Sequence, residues 1–161
     1  MRAAGTLLGA AVLAVILAAC GNGSASPHRQ GVSEWQANAA GVVTQLRADT
    51  VSASDGANLG AARAALHDES RLYGLLVAYS DFGGCRHMAS ALGEPPDGLG
   101  DAAVTLGRAC ASLQRAAALF TRAAAKSDPR SLVAAARAVQ DAEPLLVRAQ
   151  FELHASSSRG Q

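Results

Sequence analysis

The feature that most restricts the fold of this chain is a run of apolar residues spaced alternately by three and four: Ala103, Leu106, Cys110, Leu113, Ala117, Phe120 and Ala124. Such spacing lays one continuous stripe along an α-helix, the a/d seam of packed helices, and does not match the two-residue alternation of a half-buried strand. Leu132, Ala135, Val139, Ala142, Leu146, Ala149 and Leu153 repeat it. Between the two runs, Ser127-Asp128-Pro129 reads as a helix restart, with Asp128 as N-cap and Pro129 at the first helical position, where a missing N–H leaves nothing unpaired. Pro144 removes the bond to the Gln140 carbonyl, which predicts a kink there or two shorter helices end to end. Beyond His154 the Ser-rich end is expected to fray.

Two further periodic stretches precede these. Ser33 and Gln36 form a capping-box pattern, followed by Trp35, Ala39, Val42, Leu46 and Ala53 on one face, predicting a helix over about 33–54. Asp55-Gly56 is a turn pair. After it, Leu59, Ala62, Leu66, Tyr73 and Leu76 make the stripe of a second helix ending near Asp81, with Gly83 and Gly84 as its stop. The connection from Phe82 to Gly100 is long for helix neighbours and is expected to hold a short helix around Cys85 to Leu92, then an exposed turn at Gly93-Glu94-Pro95-Pro96-Asp97-Gly98. The expected fold is therefore all-α: an up-down-up-down four-helix bundle with a long connection between helices two and three. Alanine occupies 38 of the 161 positions, which favours helix and allows close helix approach.

The first residues are of another kind. Arg2 opens a short positive segment, and Leu7 to Ala19 is Ala, Val, Ile or Leu at every position except Gly9. This is the pattern of a secretory signal peptide, and the 17 residues from Ala3 to Ala19 are short against the roughly 20 of a spanning helix. The alternative at this stage is a retained anchor helix. Directly behind the apolar run stands Leu17-Ala18-Ala19-Cys20, which resembles the lipobox of bacterial lipoproteins: an aliphatic residue, two small residues and an obligatory cysteine. The resemblance covers the first twenty residues. It implies that residues 1–19 are removed, that Cys20 carries an S-diacylglycerol and an N-acyl group, and that the mature protein sits on the extracytoplasmic face of the cell membrane through those lipid chains. The competing cut, of A-x-A type and slightly further on, would discard Cys20 and release a soluble product.

Residues 20–32 read as a lipidated flexible tether, 33–155 as the helical domain and 156–161 as a disordered tail. A tether of about 12 residues has an r.m.s. span of roughly 17 to 21 Å. Loss of Arg2 leaves thirteen basic and thirteen acidic residues of the fourteen and thirteen in the full chain, so the mature net charge is zero. There is then no polybasic supplement to membrane binding, and no charge excess or aromatic platform for nucleic acid. Thirteen arginines against one lysine, with abundant alanine and glycine, resemble the usage of high-GC bacteria such as actinobacteria rather than an arginine-based site.

With Cys20 assigned to lipid, two of three cysteines remain. Cys85 and Cys110 are expected to pair in an oxidising compartment, against the alternatives of two buried thiols or a metal pair. The residues three before His67, His87 and His154 are Ala64, Gly84 and Phe151, so the Glu-x-x-His pattern of di-iron bundles is missing, and no metal or other cofactor is expected. No Gly-x-Ser-x-Gly elbow, Ser-x-x-Lys or phosphate-binding glycine loop is present, and no catalytic residue is assigned. Asp49 and Glu69 fall on helix stripes where apolar residues are expected; buried together they would hint at function. Two functional classes stay open: a helical interaction module with an envelope protein partner, and a binder of a small apolar ligand such as haem or lipid, with Tyr79, Phe82, His87 and Met88 at its mouth.

Overall fold

The computed structural model describes residues 31–53 and 57–157. These residues form five helices: α1 (Val32–Ala53), α2 (Leu59–His67), α3 (Glu69–Ala91), α4 (Gly100–Lys126) and α5 (Pro129–Ser157). The leader, Cys20, the tether up to residue 30 and the turn pair Asp55-Gly56 lie outside the described residues, and Val32, expected as the last tether residue, is the first of α1.

The expected α4 and α5 seams meet along the largest interface of the fold. All seven stripe residues of α5, from Leu132 to Leu153, are buried. In α4 the large members Leu106, Cys110, Leu113 and Phe120 are buried, while Ala103, Ala117 and Ala124 are only partly so. Ala102, Ala109, Ala116 and Ala123 are buried as well, so the face is wider than a two-position seam. That width follows from α4 touching both α3 and α5. The turn between the helices is built as the local chemistry demands. Ser127 adopts the left-handed conformation at φ 47°, and the Asp128 carboxylate accepts from the Arg130 N–H at 2.9 Å and the Ser131 hydroxyl at 2.6 Å.

Pro144 does not divide the last element: α5 runs through it as one helix of 29 residues. Buried Ala142, Leu146 and Ala149 flank an exposed proline and hold the helix on the core across the missing bond. The helix also continues three residues past His154, and the Ser156 hydroxyl reaches the Gly98 carbonyl at 3.2 Å. Tertiary contact therefore extends the end that local composition alone would fray.

The second expected helix departs most from the sequence reading, and five helices stand where four were expected. Asp68 interrupts it in an extended conformation (φ −110°, ψ 110°) and caps α3 by accepting from the Arg71 N–H at 3.1 Å. One extended residue resets the helical phase. Tyr73 and Leu76, placed inward by an unbroken repeat, are 70% and 48% exposed, while Leu75, Ala78 and Tyr79 are buried. Gly83 and Gly84 then do not stop the helix, and no separate helix forms over Cys85 to Leu92; both lie within α3, shortening the connection to residues 92–99. Leu75, Ala78, Phe82, Cys85, Ala89 and Leu92 are spaced three, four, three, four, three, a seam that passes straight through the glycine pair. Its burial outweighs the roughly 0.5 to 1 kcal/mol that each glycine costs a helix.

The four long helices contact one another in a closed sequence, α1 with α3, α3 with α4, α4 with α5 and α5 with α1, and α2 packs on α3 and α5. In α1, Val43 is fully buried and Val42 only partly, so the inward face lies one residue from its expected centre. The helix begins at Val32, which places Ser33 inside the first turn, and the Gln36 amide donates to the Leu153 carbonyl of α5 instead of closing a capping box. Replacing Pro144 by Ala restores a donor for the Gln140 carbonyl at an exposed position. The variant is expected to be more stable by about 1 to 2 kcal/mol in denaturant unfolding, and a loss of stability would show that the ring itself packs usefully.

Candidate functional site

Cys85 on α3 and Cys110 on α4 are joined by a disulfide, with their Cα atoms 5.2 Å apart. Both are buried, and each comes from an apolar seam, so the packing of α3 on α4 sets them side by side. Two turns away, Tyr79 of α3 lies flat against Phe120 of α4 at 4.4 Å between ring centroids and receives the edge of Phe82 at 5.3 Å. The aromatic contacts and the bridge act on one interface, with the Gln114 amide also donating to the Gly83 carbonyl at 3.4 Å.

This arrangement separates the four residues expected at a ligand mouth. Tyr79 and Phe82 are 3% and 0% exposed and belong to the core. Burial pushes the Tyr79 phenol far above its ordinary range, so it holds its proton under any physiological condition. His87 is exposed on the outer side of α3, and Met88 is half-buried, facing α1. The structure therefore brings Tyr79 and Phe82 together and leaves His87 and Met88 elsewhere.

Asp49 and Glu69 are likewise not a pair. Glu69 is exposed in the first turn of α3, whereas Asp49 is buried in α1. The partner of Asp49 is Asp81, carried inward because α3 continues past it. The Gln45 amide bridges them, donating to Asp49 Oδ1 and Oδ2 at 3.3 Å each and to Asp81 Oδ2 at 3.4 Å. Burial raises the Asp49 pKa; the Gln45 hydrogen bond opposes this, and the neighbouring Asp81 charge reinforces it. No group of three or more His, Cys, Asp or Glu side chains able to hold a metal occurs among the described residues. No described helix is long and apolar enough to cross a membrane.

Two spaces adjoin α1. A small, partly open pocket of about 20 Å³ lies between α1 and α5, lined by Thr50, Ala53, Ala136, Val139, Gln140 and Glu143. It has room for about one water. The larger space is an open groove of about 440 Å³ between α1 and the end of α3. Ala37, Gly41 and Val42 line one side and Met88, Ala91 and Leu92 the other, with Asn38 the polar member. Small residues explain it: Ala37, Gly41 and Ala91 supply little or no side chain where α1 faces the end of α3, and a Cβ on Gly41 would meet nothing within 4 Å. The sequence reading reached Met88 but missed the α1 side. The available signal was the cluster Ala37, Ala39, Ala40 and Gly41 on a helix whose other positions include Trp35, Val43 and Leu46.

Two measurements test these assignments. Because the native state raises the Asp49 pKa, it binds that proton more tightly than the unfolded chain. Its stabilising contribution is then present below the unfolded value of 3.8 and is lost as pH rises through the native value. Asp49→Asn should raise the melting temperature at about pH 7, with the advantage vanishing below about pH 4. A variant less stable than the parent at neutral pH would mean that the ionised carboxylate is favourable where it sits. Replacing Cys85 and Cys110 together by Ala opens a loop spanning 25 positions and should reduce stability by about 3.5 kcal/mol in denaturant unfolding. A change below about 1 kcal/mol would show that the α3–α4 seam holds without the bridge.

Comparison with protein-family models, with curated proteins and with solved structures finds no match to this chain.

Proposed function

We propose that the chain is a lipid-anchored extracytoplasmic lipoprotein whose helical domain is an interaction module of the cell envelope, not an enzyme. The supporting observation is the use of its cysteines. Of three in the chain, Cys85 and Cys110 are consumed in one internal bridge, and the remaining one, Cys20, is the residue that ends the lipobox-like Leu17-Ala18-Ala19-Cys20. A structural bridge suits an oxidising compartment, and a cysteine directly behind an apolar leader suits lipid attachment. The four long helices are read as an up-down-up-down bundle, with α2 as an extra turn-and-helix laid against α3 and α5.

The orientation of such a module follows from its ends. The start of α1 lies beside the end of α5, through Gln36 and Leu153, and the end of α5 lies beside the start of α4, through Ser156 and Gly98. The tether therefore enters at the start of α4. Tyr79 meets Phe120 toward the other end of α4, so the beginning of α3 lies away from the tether. There Tyr73, Leu76 and Val77 are 70%, 48% and 46% exposed and share one face at spacings of three and four. On a protein held to a membrane by Cys20, this face lies toward the end of the domain far from the lipid and is the surface assigned to an envelope protein partner. Membrane lipid is the other partner, and no nucleic acid is involved.

The lipid assignment is tested by Cys20→Ser. The precursor should remain uncut and incorporate no labelled fatty acid, whereas the parent is shortened by 19 residues and labelled. Normal processing of the variant would refute the anchor.

A further inference from the structure

We propose that the groove between α1 and α3 holds one of the acyl chains attached to Cys20, so that the lipid anchor is also an internal ligand of the domain. This rests on the lipoprotein reading and adds to it a place for one chain.

Three observations converge on that occupant. The first is chemical: the lining is uncharged and, apart from Asn38, apolar, with Ala37, Gly41, Val42, Ala91 and Leu92 around a half-buried Met88. A long unbranched thioether side chain adapts its shape to a flexible hydrocarbon better than a branched one does. The second is size: about 440 Å³ falls within the range of small-ligand sites, and the pocket of about 20 Å³ does not. The third is reach. Cys20 precedes the described chain at Gly31 by 11 residues, and 11 residues can extend to at most about 40 Å. The groove residues of α1, Ala37 to Val42, lie 5 to 10 residues beyond Val32, or roughly 8 to 15 Å along the helix. An acyl chain at the end of the tether is thus carried to the groove by its own attachment, at the high effective concentration of an intramolecular ligand. Lipidation of this kind supplies two or three chains, so one can lie in the groove while the others remain in the bilayer.

Gly41 is the position that separates this occupant from the fold. A Cβ there meets nothing within 4 Å, so Gly41→Leu adds its bulk on the groove side of α1 and improves helix propensity. The test uses the full-length protein in its own membrane. Cells are grown with a fatty acid bearing a diazirine near its methyl end, irradiated, and the cross-linked peptides of the purified protein are mapped. The expected result is cross-linking from the Cys20 lipid to the segments 37–42 and 88–92, reduced about fivefold or more by Gly41→Leu. Met88→Gln, which keeps the side chain's length but adds a polar amide, should reduce it in the same direction. Label on Cys20 whose cross-links go only to bilayer lipid, to another face, to a second copy or to a different protein overturns the groove assignment and leaves the anchor standing. Absence of label from Cys20 removes the anchor and the proposal together.

Discussion

The close approach of α4 and α5 is the constraint on which the other contacts depend. The buried stripe of α5, four of its seven residues alanine or valine, packs on an α4 whose buried face carries alanine at every seventh residue, Ala102, Ala109, Ala116 and Ala123. Small side chains let two helices of 27 and 29 residues stay in contact along their length, and dispersion summed over that length replaces what bulky residues supply in shorter cores. The pair forms a rigid wall. α3 is then fixed to it by the Cys85–Cys110 bridge and the Tyr79–Phe120 stack, and α1 closes the remaining side against α3 and α5.

Fixing α3 in this way has a consequence for α1. The bridge and the aromatic stack determine which way α3 faces along its whole length, and so they carry Asp81 toward Asp49 at one level and Met88 toward Gly41 at another. The first meeting is electrostatically unfavourable and is softened by Gln45; the second leaves a groove because small residues have too little volume to fill it. Neither meeting is chosen by α1 itself. Both follow from the α3–α4 interface.

Periodicity reported packing well where it was unbroken and misled where one residue interrupted it. The α5 stripe and the Asp128 cap were legible because helical geometry repeats without reference to the rest of the chain. At Asp68 a single extended residue changed the phase, so Tyr73 and Leu76, read as core, came to lie outside. At Gly83-Gly84 the local rule, that glycine ends helices, was overruled by a seam on either side and a disulfide one residue later. The expected mouth residues failed for a related reason. Tyr79 lay off the stripe expected for the second helix and Phe82 just past its expected end, and both pack as core in the longer, re-phased α3.

Residue order by itself determined the helical class, the α4–α5 turn and the likeness of Leu17 to Cys20 to a lipid-attachment sequence, because each depends on neighbours within a few positions, and it made Cys85 with Cys110 the expected pair. Only the tertiary structure decided that α3 passes through its glycines, that Asp49 meets Asp81 and not Glu69, and that the room beside Met88 opens toward α1. Those outcomes depend on the rotation of one helix about its axis relative to another. That rotation is set by contacts summed over the whole interface, which no short stretch of sequence contains.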